Sequence, residues 1–136
     1  MTKITGGCLC GAVRYELCAP MLFGGFCYCI DCRKTGAGHS ASMGVPEAAL
    51  AISGETRAFI GAGASGKAVT RVFCPMCGTA ILSKGEMRPG VVMLKAGTLD
   101  DPEAFTPMAS IYVSRAPSWD PPRADLPAFP EMPPDS

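Results

Sequence analysis

The sequence lacks an excess of charge of either sign. Its 136 residues carry 12 lysines and arginines against 12 acidic residues, so the formal net charge is zero. Proteins that bind nucleic acids concentrate basic side chains on one surface, and this chain has no basic stripe and no arginine-rich run. The composition therefore argues against a nucleic-acid partner.

Apolar runs and charged residues are also scarce. Residues 1–7 contain no apolar run, so we expect neither a secretory signal nor a membrane-spanning segment. Charged residues make up only 18% of the chain. Because this charge density is low for a small domain, we expect some apolar surface to be covered by a partner, and a homo-oligomer is one candidate.

Cysteine, in contrast, is abundant. Eight cysteines without a secretory signal indicate the reducing cytoplasm, where thiols more often bind metal or react than form disulfides. Cys27, Cys29 and Cys32 are crowded into the spacing C-x-C-x2-C, and Arg33 and Lys34 follow at once. Packing does not require such crowding, whereas thiolate ligands for one soft metal ion such as zinc explain it.

Four of the remaining cysteines form two pairs. Cys8 and Cys10 lie in a glycine-flanked turn, and Cys74 and Cys77 belong to a C-P-x-C-G knuckle. Four-thiolate zinc sites are usually built from two such pairs and are structural. This pairing predicts two zinc ions per chain and leaves the triplet with one open position.

The open position has consequences for charge. Zinc with three thiolates and one bound substrate thiolate has a formal charge of −2, which Arg33 and Lys34 can offset. An alternative closes the triplet with Cys18 or His39 and makes the protein purely structural. Cys18 alone also fits a buried small apolar residue.

Short alternating segments predict an all-β domain. Val13, Tyr15 and Leu17 share one face of the first predicted strand, and further short strands follow up to residues 111–114. Seven prolines lie between residues 117 and 134, so we expect a compact domain over residues 1–120 and an extended tail over 121–136. Trp119 is expected to anchor this tail.

The cysteine motifs and their neighbours resemble one known family. The stretches are G-C-x-C-G-x-V-x-Y from Gly7, C-x-C-x2-C-R-K-x-G from Cys27, R-x-F-C-P-x-C-G-T from Arg71, and I-Y-V-S-x-A-P-x-W from Ile111. Together they are similar to the glutathione-dependent formaldehyde-activating enzymes, also called the GFA or centromere-protein-V domain family.

The resemblance implies a fold, two metal sites and an activity. The implied fold is a β-tent of several coiled antiparallel sheets stapled by zinc. The four-cysteine site would be structural, and glutathione would act at Cys27, Cys29 and Cys32. The implied reaction joins glutathione and formaldehyde to S-hydroxymethylglutathione, which is carbon–sulfur lyase chemistry. We expect Arg33, Lys34 and Arg71 to bind the carboxylates of this thiol.

Departures from the family pattern keep other functions open. Tyr28 stands where family members often carry histidine, and Ala109-Ser110 replaces an aromatic residue or histidine. The single histidine, His39, is a candidate proton shuttle. A non-catalytic binding module with two structural zinc sites is the main alternative. A redox enzyme similar to methionine sulfoxide reductases is a third possibility, with Cys18 as its spare thiol.

Overall fold

The computed structural model describes residues 3–63 and 65–133, and this part of the chain is built mainly of β-strands. The strands are β1 Ile4–Gly7, β2 Arg14–Leu17, β3 Phe23–Cys27, β4 Ser40–Pro46, β5 Leu50–Ser53, β6 Arg57–Ala62, β7 Ala68–Phe73, β8 Ala80–Gly85, β9 Val91–Lys95 and β10 Ala109–Ile111. One α-helix, α1 (Ile30–Gly36), and several 3-10 turns complete it. No helix in the described residues is long and apolar enough to cross a membrane.

The strands form two sheets. The smaller has the order β1-β2-β5, and the larger has the order β10-β3-β4-β9-β8-β7-β6. All pairings are antiparallel except that of β10 with β3, which is parallel. The predicted all-β class with several antiparallel sheets is confirmed.

The larger sheet has one core face and one outer face. On the core face, Met43, Val45 and Leu94 are fully buried, and they pack with Tyr15 and Leu17 of β2 as the alternation predicted. Residues paired across antiparallel strands share a face. The pairings Cys27–Ser40, Ser42–Lys95, Met93–Ser83 and Ser83–Arg71 therefore place these side chains together on the outer face.

Strand β1 was not anticipated because its glycines suggest a turn. Gly6 pairs with Tyr15, and the tyrosine ring covers it. A Cβ atom on Gly6 would lie 2.2 Å from the Tyr15 hydroxyl oxygen and 2.4 Å from the Thr98 carbonyl oxygen. Tyr15 also makes a 2.7 Å hydrogen bond with the Thr98 hydroxyl. Because Gly6 has no side chain, the buried Tyr15 ring can lie across β1 at this position.

The C-terminal segment is held differently from the prediction. Trp119 is 67% exposed, so the prediction that it anchors the tail is wrong. Its neighbour Asp120 does so instead, accepting a 2.8 Å hydrogen bond from the His39 backbone N–H. Residues 127–131 then run beside β10 through backbone hydrogen bonds.

The last strand also differs from the prediction. We expected a strand over residues 111–114, but β10 ends at Ile111. Tyr112 has a φ of 55°, in the left-handed region, and this turns the chain into a 3-10 helix over Val113–Arg115.

Gly6→Ala should destabilise the protein by about 2 kcal/mol, because the Thr98 carbonyl that the new methyl group meets is fixed backbone. Gly97→Ala is the matched control, since a Cβ there meets nothing within 4 Å. It should change the free energy of unfolding by no more than about 0.5 kcal/mol. Denaturant unfolding of the two variants measures both. Equal stability of the two variants would contradict the role given to Gly6.

Candidate metal centres

Two separate cysteine clusters form among the described residues. In the first, the sulfurs of Cys8, Cys10, Cys74 and Cys77 lie within 4.8 Å of one another. The Cys8–Cys10 and Cys10–Cys74 sulfur separations are 3.6 and 3.8 Å. Four sulfurs at the usual zinc–sulfur bond length form a tetrahedron with edges of about 3.8 Å. The donor set and its dimensions therefore fit one zinc ion.

Local hydrogen bonds orient these sulfurs. The backbone N–H of Val13 donates to Cys8 Sγ at 3.2 Å, and that of Met76 donates to Cys74 Sγ at 3.4 Å. Hydrogen bonds from the Thr79 side chain and backbone lower the pKa of Cys77 to about 5. Such donors fix ligand orientation and favour the thiolate form that binds metal.

This four-sulfur cluster is continuous with the hydrophobic core. Cys8 and Cys74 are buried and pack with the core side chains, whereas Cys10 is exposed. Cys8 follows β1 of the smaller sheet, and Cys74 follows β7 of the larger sheet. A metal ion held here would therefore tie the two sheets together.

The second cluster contains Cys27, Cys29 and Cys32, whose sulfurs also lie within 4.8 Å of one another. Cys27 ends β3, and Cys29 caps α1, with its sulfur accepting from the Cys32 backbone N–H at 3.3 Å. The Ser40 hydroxyl donates to Cys32 Sγ at 3.3 Å. A strand end and a helix start thus bring three sulfurs to one point on the outer face.

These three thiols have very different acidities. Hydrogen bonds from Cys27 and Cys29, assisted by the Ser40 hydroxyl and the charge of Lys95, lower the pKa of Cys32 to about 2. Hydrogen bonding with Cys29 and Cys32 raises the pKa of Cys27 well above its ordinary value. The Cys32 thiolate is therefore stabilised by its neighbours alone. Loss of a proton from the other two thiols needs a cation among the three sulfurs.

No fourth histidine, cysteine or carboxylate joins this triplet within residues 3–63 and 65–133. Cys18 is exposed, so the prediction that it is buried is wrong, and it does not approach the triplet. His39 also stays outside the cluster. The alternative in which Cys18 or His39 supplies a fourth ligand to the triplet is therefore wrong.

His39 belongs to a neighbouring cluster. Its ring centroid lies 5.1 Å from the rings of both Phe26 and Tyr28, and its Nδ1 lies 2.9 Å from an Asp120 carboxylate oxygen. Ser40, the next residue, instead points at Cys32. His39 therefore packs among aromatic side chains and Asp120, and it is not one of the groups that converge at the triplet.

The predicted cations occupy three different settings. Arg33 donates to the Arg115 carbonyl at 3.2 Å, Lys34 is exposed, and Arg71 approaches the Asp31 carboxylate at 3.8 Å. Sequence reasoning missed Lys95, whose charge acts on Cys32 and whose ammonium lies 3.4 Å from the Ser42 hydroxyl. Only the register of β4 with β9 brings Lys95 there, and no local motif signals it.

Comparison with known proteins gives a family and a related fold. No curated protein sequence matches the chain significantly. A crystal structure of a Rhodobacter sphaeroides protein, a Northeast Structural Genomics target, is similar with a TM-score of 0.55 and 21% identity, covering 71% of this chain and 87% of that chain. At this identity the likeness concerns the fold alone.

The sequence model of one family, described as glutathione-dependent formaldehyde-activating enzyme, matches residues 3–115. This span includes both cysteine clusters and all ten strands of the two sheets. The chain belongs to the glutathione-dependent formaldehyde-activating enzyme family.

Proposed function

We propose that the protein is a carbon–sulfur lyase that joins a small thiol, glutathione in the first instance, to an aldehyde such as formaldehyde. The observation that carries this proposal is the convergence of three sulfurs with no fourth protein ligand among the described residues. Membership of the family supports the choice of thiol and aldehyde. Cys27, Cys29 and Cys32 are the proposed catalytic residues.

Zinc is the proposed metal for both clusters, giving two ions per chain. Thiolate donors suit it, and the sulfur separations of the four-cysteine cluster match its tetrahedral geometry. At the triplet, a bound zinc ion would act as a Lewis acid that favours the thiolate form of the substrate. The four-cysteine cluster would be structural.

The proposed reaction balances without an oxidant or reductant. The substrate sulfur attacks the aldehyde carbon, a carbon–sulfur bond forms and the carbon–oxygen double bond becomes single. The proton lost by the thiol ends on the new hydroxyl oxygen. A metal ion held by the triplet would keep the sulfur in place, and Lys95 stabilises the added negative charge because it lies on the same face and has no salt-bridge partner among the described residues.

Lys34 and Arg71 remain proposed contacts for the carboxylates of the thiol. Arg33 is already engaged by the Arg115 carbonyl, so binding through Arg33 would share that hydrogen bond. An arginine has five N–H donors, and one contact leaves several for a ligand.

The main alternative is a non-catalytic binding module with two structural zinc sites. It predicts that the triplet supports folding as strongly as the four-cysteine cluster does. Redox catalysis with Cys18 as nucleophile would need a resolving thiol, and the other seven cysteines lie in the two clusters. The geometry therefore favours the lyase.

The proposed setting is the cytoplasm, which keeps the cysteines reduced, and no nucleic-acid partner is proposed. A homo-oligomer is proposed because the edge strand β6 exposes Phe59 and Ile60, at 61% and 67%. Sedimentation equilibrium tests this, since a monomer at all concentrations would contradict it.

Cys29→Ala should keep the fold but lower the zinc content from two ions to one and abolish glutathione binding. Cys74→Ala should instead unfold the protein, because it removes a ligand that links the two sheets. Zinc analysis, far-ultraviolet circular dichroism and glutathione titration measure these outcomes. Unfolding of Cys29→Ala to the same extent as Cys74→Ala would overturn the open site and favour the binding module.

Lys95→Gln should weaken glutathione binding by roughly tenfold, because one charge-assisted contact is lost beside a site of net negative charge. The loss should shrink as ionic strength rises. Lys84→Gln is the matched control, since Lys84 pairs with Glu47 at 3.0 Å on the other face of the sheet. Calorimetric titration of the zinc-loaded variants measures the affinity. Equal affinities for the two variants would contradict the role of Lys95.

A further inference from the structure

Three aspartate–arginine pairs occur among the described residues, and one of them differs from the others. Arg14 grips Asp100 with two guanidinium nitrogens, and Arg123 grips Asp125 in the same way. Arg71 reaches Asp31 only through one 3.8 Å contact. This third pair is therefore a loose electrostatic contact. The Arg71 N–H donors and the Asp31 carboxylate oxygens are not used up by it.

Burial makes the loose pair more notable. The Arg71 side chain is 22% exposed, compared with 46% for Arg14 and 50% for Arg123. The least solvated arginine of the three is thus the one that makes no side-chain hydrogen bond within the described part of the chain. The Arg71 nitrogens are not cut off from solvent, and an arginine has five N–H donors, so several of them are available to a further acceptor.

The pair also lies beside the triplet. Asp31 stands between Cys29 and Cys32 in the first turn of α1. Arg71 shares the outer face with Ser83 and Lys95. One anion and two cations therefore lie on the face of the sheet that also carries the triplet.

We propose that Asp31 and Arg71 form a subsite for the α-amino acid end of the thiol substrate. Arg71 binds the α-carboxylate and Asp31 binds the α-ammonium group, so the ligand enters the loose pair and satisfies both members. This inference rests on the proposed function and narrows its substrate class to thiols with a zwitterionic end, such as the γ-glutamyl group of glutathione.

Lys95, the second cation, sets the orientation in which the ligand would lie in this subsite. Two strand spacings and a two-residue offset separate the backbones of Arg71 and Lys95 by roughly 12 Å. A tripeptide-sized thiol spans about 10 Å. Its zwitterionic end can therefore lie at Asp31 and Arg71 while its other carboxylate reaches Lys95, with the sulfur between them.

The test compares ligands with a free and an acetylated amino group. Glutathione and S-methylglutathione, each in both forms, are titrated into zinc-loaded wild type, Asp31→Asn and Glu47→Gln. In wild type the free amino form should bind about tenfold more tightly than the acetylated form, as expected for one charge-assisted hydrogen bond. Asp31→Asn should bring this ratio close to one for both ligands, whereas Glu47→Gln should keep it.

The outcomes separate this inference from the proposed function. A ratio near one in wild type, or a ratio that survives Asp31→Asn, overturns the subsite. A purely structural role for Asp31 would lower the melting temperature of Asp31→Asn without changing the ratio. If glutathione binds no more tightly than S-methylglutathione, sulfur binding at the triplet is contradicted, and the S-methylglutathione ratio still decides the subsite.

Discussion

The four-sulfur cluster is the constraint on which the rest of the structure depends. Each sheet has one apolar face that must be shielded from water. The two faces pack against each other in a shared core that includes Tyr15, Leu17, Met43 and Leu94. Cys8 and Cys74 belong to that core and lie at the turns that leave each sheet. Because residues 8 and 74 are distant in sequence, a metal ion there would offset a large loop-closure entropy.

The triplet lies apart from the cluster at which a metal ion would tie the two sheets together. Cys27 ends β3 on the outer face, and α1 begins at the same place, so the three sulfurs sit at the rim of the sheet and not in its core. All three cysteines are only partly buried. Lys95 of β9 and Arg71 of β7 place two positive charges on this same outer face.

Each cysteine motif could be predicted from the sequence because its members lie a few residues apart on one turn, and the two distant pairs could be combined because two pairs make up a usual four-thiolate set. The sequence also predicted the buried face of β2, since alternation is local too. It could not predict Lys95, Asp120 or the parallel pairing of β10, which depend on the register of distant strands. β1 could not be predicted from the sequence, because a glycine such as Gly6 is as typical of a turn as of a strand position that packs under an aromatic ring.

Tyr28 lies inside the cysteine motif, at a position where the resemblance leads us to expect histidine, and the structure shows what its side chain contacts. Cys27 and Cys29 converge with Cys32, whereas Tyr28 between them is 2% exposed and packs on His39. Burial and the charge of Asp120 raise the pKa of Tyr28, so its hydroxyl stays neutral near pH 7. The Tyr28 ring therefore contributes to the packing around His39, whereas the triplet is contacted by other groups, among them the Ser40 hydroxyl.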